Sequence, residues 1–259
     1  MTDAVSTTDA PVTSTVLSLV QLFDSGTLPA SPVHECPYLP GRIAREHAFA
    51  TEQLDGETYH DLMDAGFRRS GHVYYRPSCP SCNACVALRV PVDAFEPSRS
   101  QRRVIRRNRD VSIAVAPPDL TDEKLTVYQR YLVSQHPGST QGASREDLED
   151  FLYRSPITTL EVTYRDADKT LIGVSLIDVS SRSVSSVYHF FDPAAAHRSL
   201  GVYSILAEID LCRSWDIAHY YLGFWIDGAP TMDYKANYLP HEVLIAGRWV
   251  RRTRRPGLP

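Results

Sequence analysis

Three strand-like segments in the second half of the chain, residues 158–164, 171–179 and 183–191, leave few ways for it to fold. They are rich in β-branched and aromatic residues and are separated by turn formers, so an antiparallel meander is predicted. After it, Val202, Ile205, Leu206, Ile209 and Cys212 fall on one helical face, and residues 219–222 return to strand character. Two helical patterns, residues 122–134 and 144–152, precede the meander. The second opens on Ser144 with Asp147 three residues on, close to a capping box. The order α-α-β-β-β-α-β predicts an α+β fold with a mainly antiparallel sheet.

The first half reads differently. Residues 1–14 are rich in Ser, Thr and Ala without a hydrophobic period, and a disordered leader is expected there. Pro32, Pro37 and Pro40 preclude a regular helix and leave an extended segment presenting Cys36, Tyr38 and Leu39. A helix is predicted over residues 58–65, closed by Gly66, and short strands at 72–75 and 86–90 flank a cysteine-rich turn. Residues 98–109 lack Pro and Gly and are rich in Arg, which predicts a basic helix. A strand at 111–115 and the joint Pro117-Pro118 follow. With the lobe boundary between Pro97 and Pro118, the expected division is a cysteine-containing N-terminal lobe, 15–105, and a C-terminal lobe, 106–259.

Among 259 residues, 43% are hydrophobic and 22% charged, ordinary values for a globular chain with a substantial core. No stretch reaches the eighteen or so apolar residues of a membrane span, and the N-terminus lacks the basic start of a signal peptide. The expectation is a cytoplasmic protein with no membrane partner. Five cysteines in such a chain argue against a disulfide framework, so their clustering needs another reason. The net charge of -4 disfavours a polyanionic partner, yet Arg99, Arg102, Arg103, Arg106, Arg107 and Arg109 crowd one segment. Distribution outweighs the sum, because an acidic protein can still present a basic patch.

Five segments carry a resemblance. They are Cys36-Pro-Tyr-Leu-Pro-Gly-Arg42, Gly66-Phe-Arg-Arg-Ser-Gly71, the cysteine segment Tyr75 to Val90, the basic segment Ser98 to Asn108, and Tyr221-Leu-Gly-Phe-Trp-Ile226 with Met232-Asp-Tyr-Lys-Ala-Asn-Tyr-Leu-Pro240. Together they resemble the bacterial aspartate/glutamate leucyltransferases, relatives of the arginyl-tRNA–protein transferases. The resemblance implies transfer of leucine from Leu-tRNA to proteins that begin with Asp or Glu, creating a bacterial N-degron, with no DNA partner. The C-terminal element order is compatible with an acyltransferase core of the acetyltransferase (GNAT) type.

That reaction is aminolysis of an activated ester, so it needs positioning more than a nucleophile. An α-amine has a pKa near 8, and holding reactants in line is worth about 7 to 11 kcal/mol in favourable cases. Three tasks remain. Arg102/Arg106 and Arg103/Arg107, i,i+4 pairs, with Arg99 form a cationic helix face suited to tRNA phosphates. Arg76 and Lys235, within matched motifs, suit the acceptor's side-chain carboxylate. Oxyanion help is expected from Tyr75, Tyr188 or backbone N–H groups near Gly201, and proton acceptance from Asp227 or His189.

No cofactor is needed for the chemistry. Cys79, Cys82 and Cys85 form C-x-x-C-x-x-C and Cys36 brings a fourth sulfur, a set that suits structural zinc or an iron–sulfur cluster. Loosely placed thiols without metal are the alternative. Three further readings are arginine as the transferred residue, a coenzyme A-dependent N-acetyltransferase, and a non-enzymatic RNA-binding module. Against the acetyltransferase stands Arg198-Ser-Leu-Gly-Val-Tyr203, where Tyr occupies a position that a pyrophosphate loop keeps small.

Overall fold

The computed structural model describes residues 14–135 and 144–255, so the leader expected over 1–14 lies outside the described residues except for Ser14. Ser14 opens α1 (Ser14–Asp24), whose Val16 is fully buried against the N-terminal core. The proline-rich segment is extended, with the short strands β1 (His34–Glu35) and β2 (Ile43–Ala44) paired across Cys36 to Arg42. Next come β3 (Glu46–Ala50), α2 (Gly56–Asp64), β4 (Arg68–Ser70) and β5 (Val73–Pro77), and the three strands form a small sheet in the order β3-β5-β4. Asp55 caps α2 by accepting from the Thr58 N–H at 2.9 Å. Gly66, at φ +86°, turns the chain after it where a side chain would be strained. Tyr59, Leu62 and Met63 of α2 bury against Phe67 and Tyr74.

After the cysteine turn the chain leaves this sheet. Strand β6 (Val86–Pro91) enters the centre of an eight-stranded sheet, and α3 (Arg99–Arg107) follows with the capping box of Ser98 and Gln101. Gln101 and Asn108 are buried, and Asn108 Nδ2 ties the helix end to the carbonyl oxygens of Val104 and Arg198, each at 2.9 Å. The division expected at 105/106 therefore cuts a helix, and β6, placed in the N-terminal lobe, belongs to the large sheet. Local composition marks where a chain turns; it is blind to a pairing made with strands much later in sequence.

The rest builds that sheet: β7 (Ser112–Ala116), α4 (Asp122–Gln135), α5 (Arg145–Leu148) running into a π-turn, β8 (Thr159–Arg165), β9 (Leu171–Val179), β10 (Ser183–Phe191), α6 (Leu200–Ser214), β11 (His219–Trp225), β12 (His241–Ile245) and β13 (Arg248–Arg252). The strand order is β13-β12-β6-β11-β10-β9-β8-β7. The expected meander is present, with β8, β9 and β10 antiparallel. Strand β11 then pairs parallel to β10 after the α6 crossover. This is the expected α+β architecture, with a mainly antiparallel large sheet. Ile205, Leu206, Ile209 and Cys212 of α6 cover one face, and Val127, Tyr128 and Leu132 of α4 cover the other. Consecutive residues of a strand alternate, so Leu176 joins the α4 cluster and Ile177 the α6 cluster. Tyr220 and Tyr221 divide likewise, Tyr221 facing the small sheet and α2.

Candidate active site

Strands β10 and β11 pair only over Ser183↔His219, Val184↔Tyr220 and Ser185↔Tyr221, although both run on for four residues or more. Bulges mark the parting on both sides, between Ser186 and Tyr188 on β10 and between Tyr221 and Gly223 on β11. A bulge bends its strand and sharpens its twist, so two facing bulges open a wedge in the sheet. Gly223, at φ +80°, provides the second one, and the Lys235 Nζ lies 3.5 Å from where a β-carbon would stand.

Lys235 sits in the 3-10 turn Asp233–Asn237 against β11 and donates to the Phe224 carbonyl oxygen at 2.9 Å. It is buried; that burial, with Arg68's charge adding, brings its ammonium down to about 7. Arg68 is buried too, its guanidinium 5.3 Å and 5.4 Å from the ring centroids of Tyr221 and Phe224. On the α6 side, Glu208 accepts from the hydroxyls of Tyr164 and Tyr220, and burial pushes its carboxyl up to about 7. His189 Nδ1 lies 2.9 Å from Ser175 Oγ, its Nε2 is buried with no partner, and burial holds the ring neutral with a pKa of about 3.

The expected catalytic set does not gather in one place. Tyr188 and His189 are neighbours on one strand and face opposite ways: Tyr188 packs with Tyr128, Tyr131 and Phe151, and His189 with Tyr164 and Phe191. Asp227 is exposed beyond the end of β11. Tyr75 lies with its ring 6.2 Å from that of Phe224 and near Arg68, and burial raises its hydroxyl to about 12. The N–H groups of Val202 and Tyr203, next to Gly201, already donate to the Ser199 carbonyl oxygen, each at 3.0 Å. Of the acceptor pair, Arg76 stacks on Phe23 at 4.2 Å and lines a cavity; Lys235 stands at the wedge. Arg68 escaped attention in the sequence, although the motif Gly66-Phe-Arg-Arg-Ser-Gly71 contains it. Nothing in a run of two arginines says which one lacks an acid.

Helix α3 keeps its expected character. Arg99, Arg102, Arg103, Arg106 and Arg107 are all exposed, and at 3.6 residues per turn they occupy an arc of roughly 140°. Among the described residues none of the five forms an ion pair, whereas Arg198 pairs with Asp110 and Arg165 with Glu123. Arg107 donates to the His197 carbonyl oxygen at 2.7 Å, which anchors this face beside the turn that leads from β10 into α6.

Cys36, Cys79, Cys82 and Cys85 all line the cavity that Arg76 lines, a space of about 610 Å³ that also touches Arg42 and Phe224. Burial and the three neighbouring sulfurs push the Cys85 thiol up to about 12. Four thiols suit a tetrahedral metal, and they share one wall system. Yet among the described residues no three His, Cys, Asp or Glu side chains converge closely enough to hold an ion. Among the described residues, too, no helix is long and apolar enough to cross a membrane.

The sheet thus opens between the parallel strands β10 and β11, and the unneutralised arginine face of α3 lies beside α6, the helix that joins them. Comparison with known proteins then supplies the family. The model described as "Arginine-tRNA-protein transferase, N terminus" matches residues 34–103, and "Arginine-tRNA-protein transferase, C terminus" matches residues 123–245. An aspartate/glutamate leucyltransferase of Thiobacillus denitrificans is 42% identical over 220 residues, which is 83% of this chain and 90% of that protein. One from Halorhodospira halophila is 40% identical over 226 residues, 86% of this chain and 96% of its own. The chain belongs to the arginyl-tRNA–protein transferase family. Slight structural similarity reaches L-PGS from Bacillus licheniformis, at TM-score 0.41 and 15% identity over 69% of this chain and 52% of that one. FemX gives TM-score 0.42 and 9% identity over 71% and 64%.

Proposed function

We propose that this chain transfers leucine from Leu-tRNA to the N-terminal α-amine of proteins that begin with Asp or Glu, in the cytoplasm, as an N-degron signal. The names of its relatives support the leucine donor and the acidic acceptor. The observation that carries the reading is the set of five exposed arginines on α3 without an acid, in a chain whose net charge is -4. Phosphates of the tRNA acceptor end are their natural counter-charges. The aminoacyl ester then lies in the wedge between β10 and β11, where the acceptor's neutral amine attacks the ester carbonyl and the ribose hydroxyl leaves. Orientation supplies most of the rate.

Arg76 and Lys235 hold the acceptor and Tyr75 borders it; no covalent intermediate forms. Cys36, Cys79, Cys82 and Cys85 border the cavity between the proline-rich segment and the loop before β6 and take no part in transfer. The test presents Leu-tRNA and Arg-tRNA in parallel to peptides that begin with Asp, Glu or Ala, and reads mass. Leucine added to Asp and Glu alone is expected; added arginine, or none on any peptide, defeats the reading. Thiol release from acetyl-coenzyme A would instead favour the N-acetyltransferase.

A further inference from the structure

The buried Arg and Lys residues of the described chain are Arg68, Arg69, Arg89, Lys124 and Lys235, and they divide by whether an acid meets them. Arg69 grips both oxygens of Asp178, Nε to Oδ2 at 2.7 Å and Nη2 to Oδ1 at 2.6 Å. Arg89 reaches Asp64 at 2.5 Å and Glu242 at 2.8 Å, and Lys124 reaches Glu161 at 2.5 Å. Arg68 and Lys235 meet no carboxylate among the described residues. Arg68 directs Nη1 to the carbonyl oxygens of Met63 at 3.0 Å and Phe67 at 2.5 Å. Its Nε and Nη2, the same edge with which Arg69 grips Asp178, are buried without an acceptor. A buried cation without an anion is unfavourable, and two within mutual electrostatic reach are more so.

We propose that Arg68, together with Lys235, receives the acidic side chain of the acceptor, the Nε–Nη2 edge of Arg68 holding the carboxylate as Arg69 holds Asp178. This rests on transfer to N-terminal Asp or Glu and names the group that reads that residue. A planar guanidinium edge matches a carboxylate, and an amide in its place brings no charge and directs N–H groups at a cation. Phe224 lines the cysteine cavity and also covers Arg68, so its ring stands between the cavity and the pair and must swing aside to admit a carboxylate. Arg68 lies on the Tyr221 face of the large sheet, whereas α3 packs against α6 on the other face. Carboxylate and phosphate sites are thereby separated across the wedge.

Steady-state transfer by R68Q, R68K and the wild type to peptides beginning with Asp, Glu and Asn tests this, with tRNA affinity measured alongside. R68Q is expected to lower kcat/KM for the Asp and Glu peptides about 100-fold, mainly through KM, with tRNA affinity unchanged within about twofold. R68K should recover part of the loss. Because R68Q can also disturb folding, the wild-type protein is titrated with the same peptides without tRNA, melting temperature being the readout. The Asp peptide should raise it and the Asn peptide should not. Equal response to both peptides, or none to either at millimolar concentration, overturns the proposal. So does a folded R68Q whose acceptor KM is unmoved, and weakened tRNA binding with unmoved KM identifies the anion as phosphate. Because the titration needs no aminoacyl-tRNA, a carboxylate-dependent shift stands even if leucine transfer itself is not observed.

Discussion

Two adjacent arginines of β4 meet opposite fates. Arg69 closes a buried knot in which Asp178 also accepts from Tyr59 at 2.9 Å and Thr159 at 2.6 Å, binding the small sheet and α2 to β8 and β9. Arg68, one residue earlier and facing the other way, has no acid and sits by a lysine that has none either. The first arrangement is complete within the protein and serves stability. The second is incomplete and serves a ligand, so substitutions in the two regions should act with opposite sign.

The largest effect is expected from D178N, which leaves Arg69 buried without its carboxylate. It should cost about 3 to 5 kcal/mol, read by urea denaturation, and a loss near zero would erase the contrast. K235M removes a buried lysine with no acid, so it should leave stability at pH 7 unchanged or raise it, while transfer to the Asp peptide falls. A destabilised K235M would place Lys235 with the structural charges. Glu208 sharpens the comparison from the acid side. Its folded pKa of about 7 lies above the unfolded value, so the proton-linked stability is fully present below about pH 4.5 and is lost as pH rises to about 7. Wild type should therefore weaken relative to E208Q by at most about 1.4 kcal/mol per pH unit over that window; parallel melting curves from pH 5 to 7 would refute it. The smallest change belongs to the surface. R103A with R107A should weaken tRNA binding roughly tenfold and flatten its salt dependence, with melting unchanged, whereas retained affinity would remove α3 from donor binding.

The legible part of the fold was the part written locally. The meander, the α6 stripe and the basic helix all follow from periods and composition over a few residues, and the structure has them where they were expected. Strands β12 and β13 were missed, because Val243, Leu244 and Ile245 form too short an apolar run to declare a strand without its partners. The site was legible as motifs and illegible as geometry. Strand alternation with a bulge decides that Tyr188 and His189 part company, and only coordinates show which of two consecutive arginines is matched. The α3 arginines were readable because exposure and like charge are properties of the helix itself.

The central place of β6 reaches into biosynthesis. Its hydrogen-bonding partners on both flanks, β11 and β12, are translated long after it, so the nascent N-terminal portion leaves the ribosome carrying a strand with two open edges. Neither half made alone has an intact sheet. Cleaved or split versions should regain order only when both pieces are mixed, and the early piece should aggregate if kept waiting.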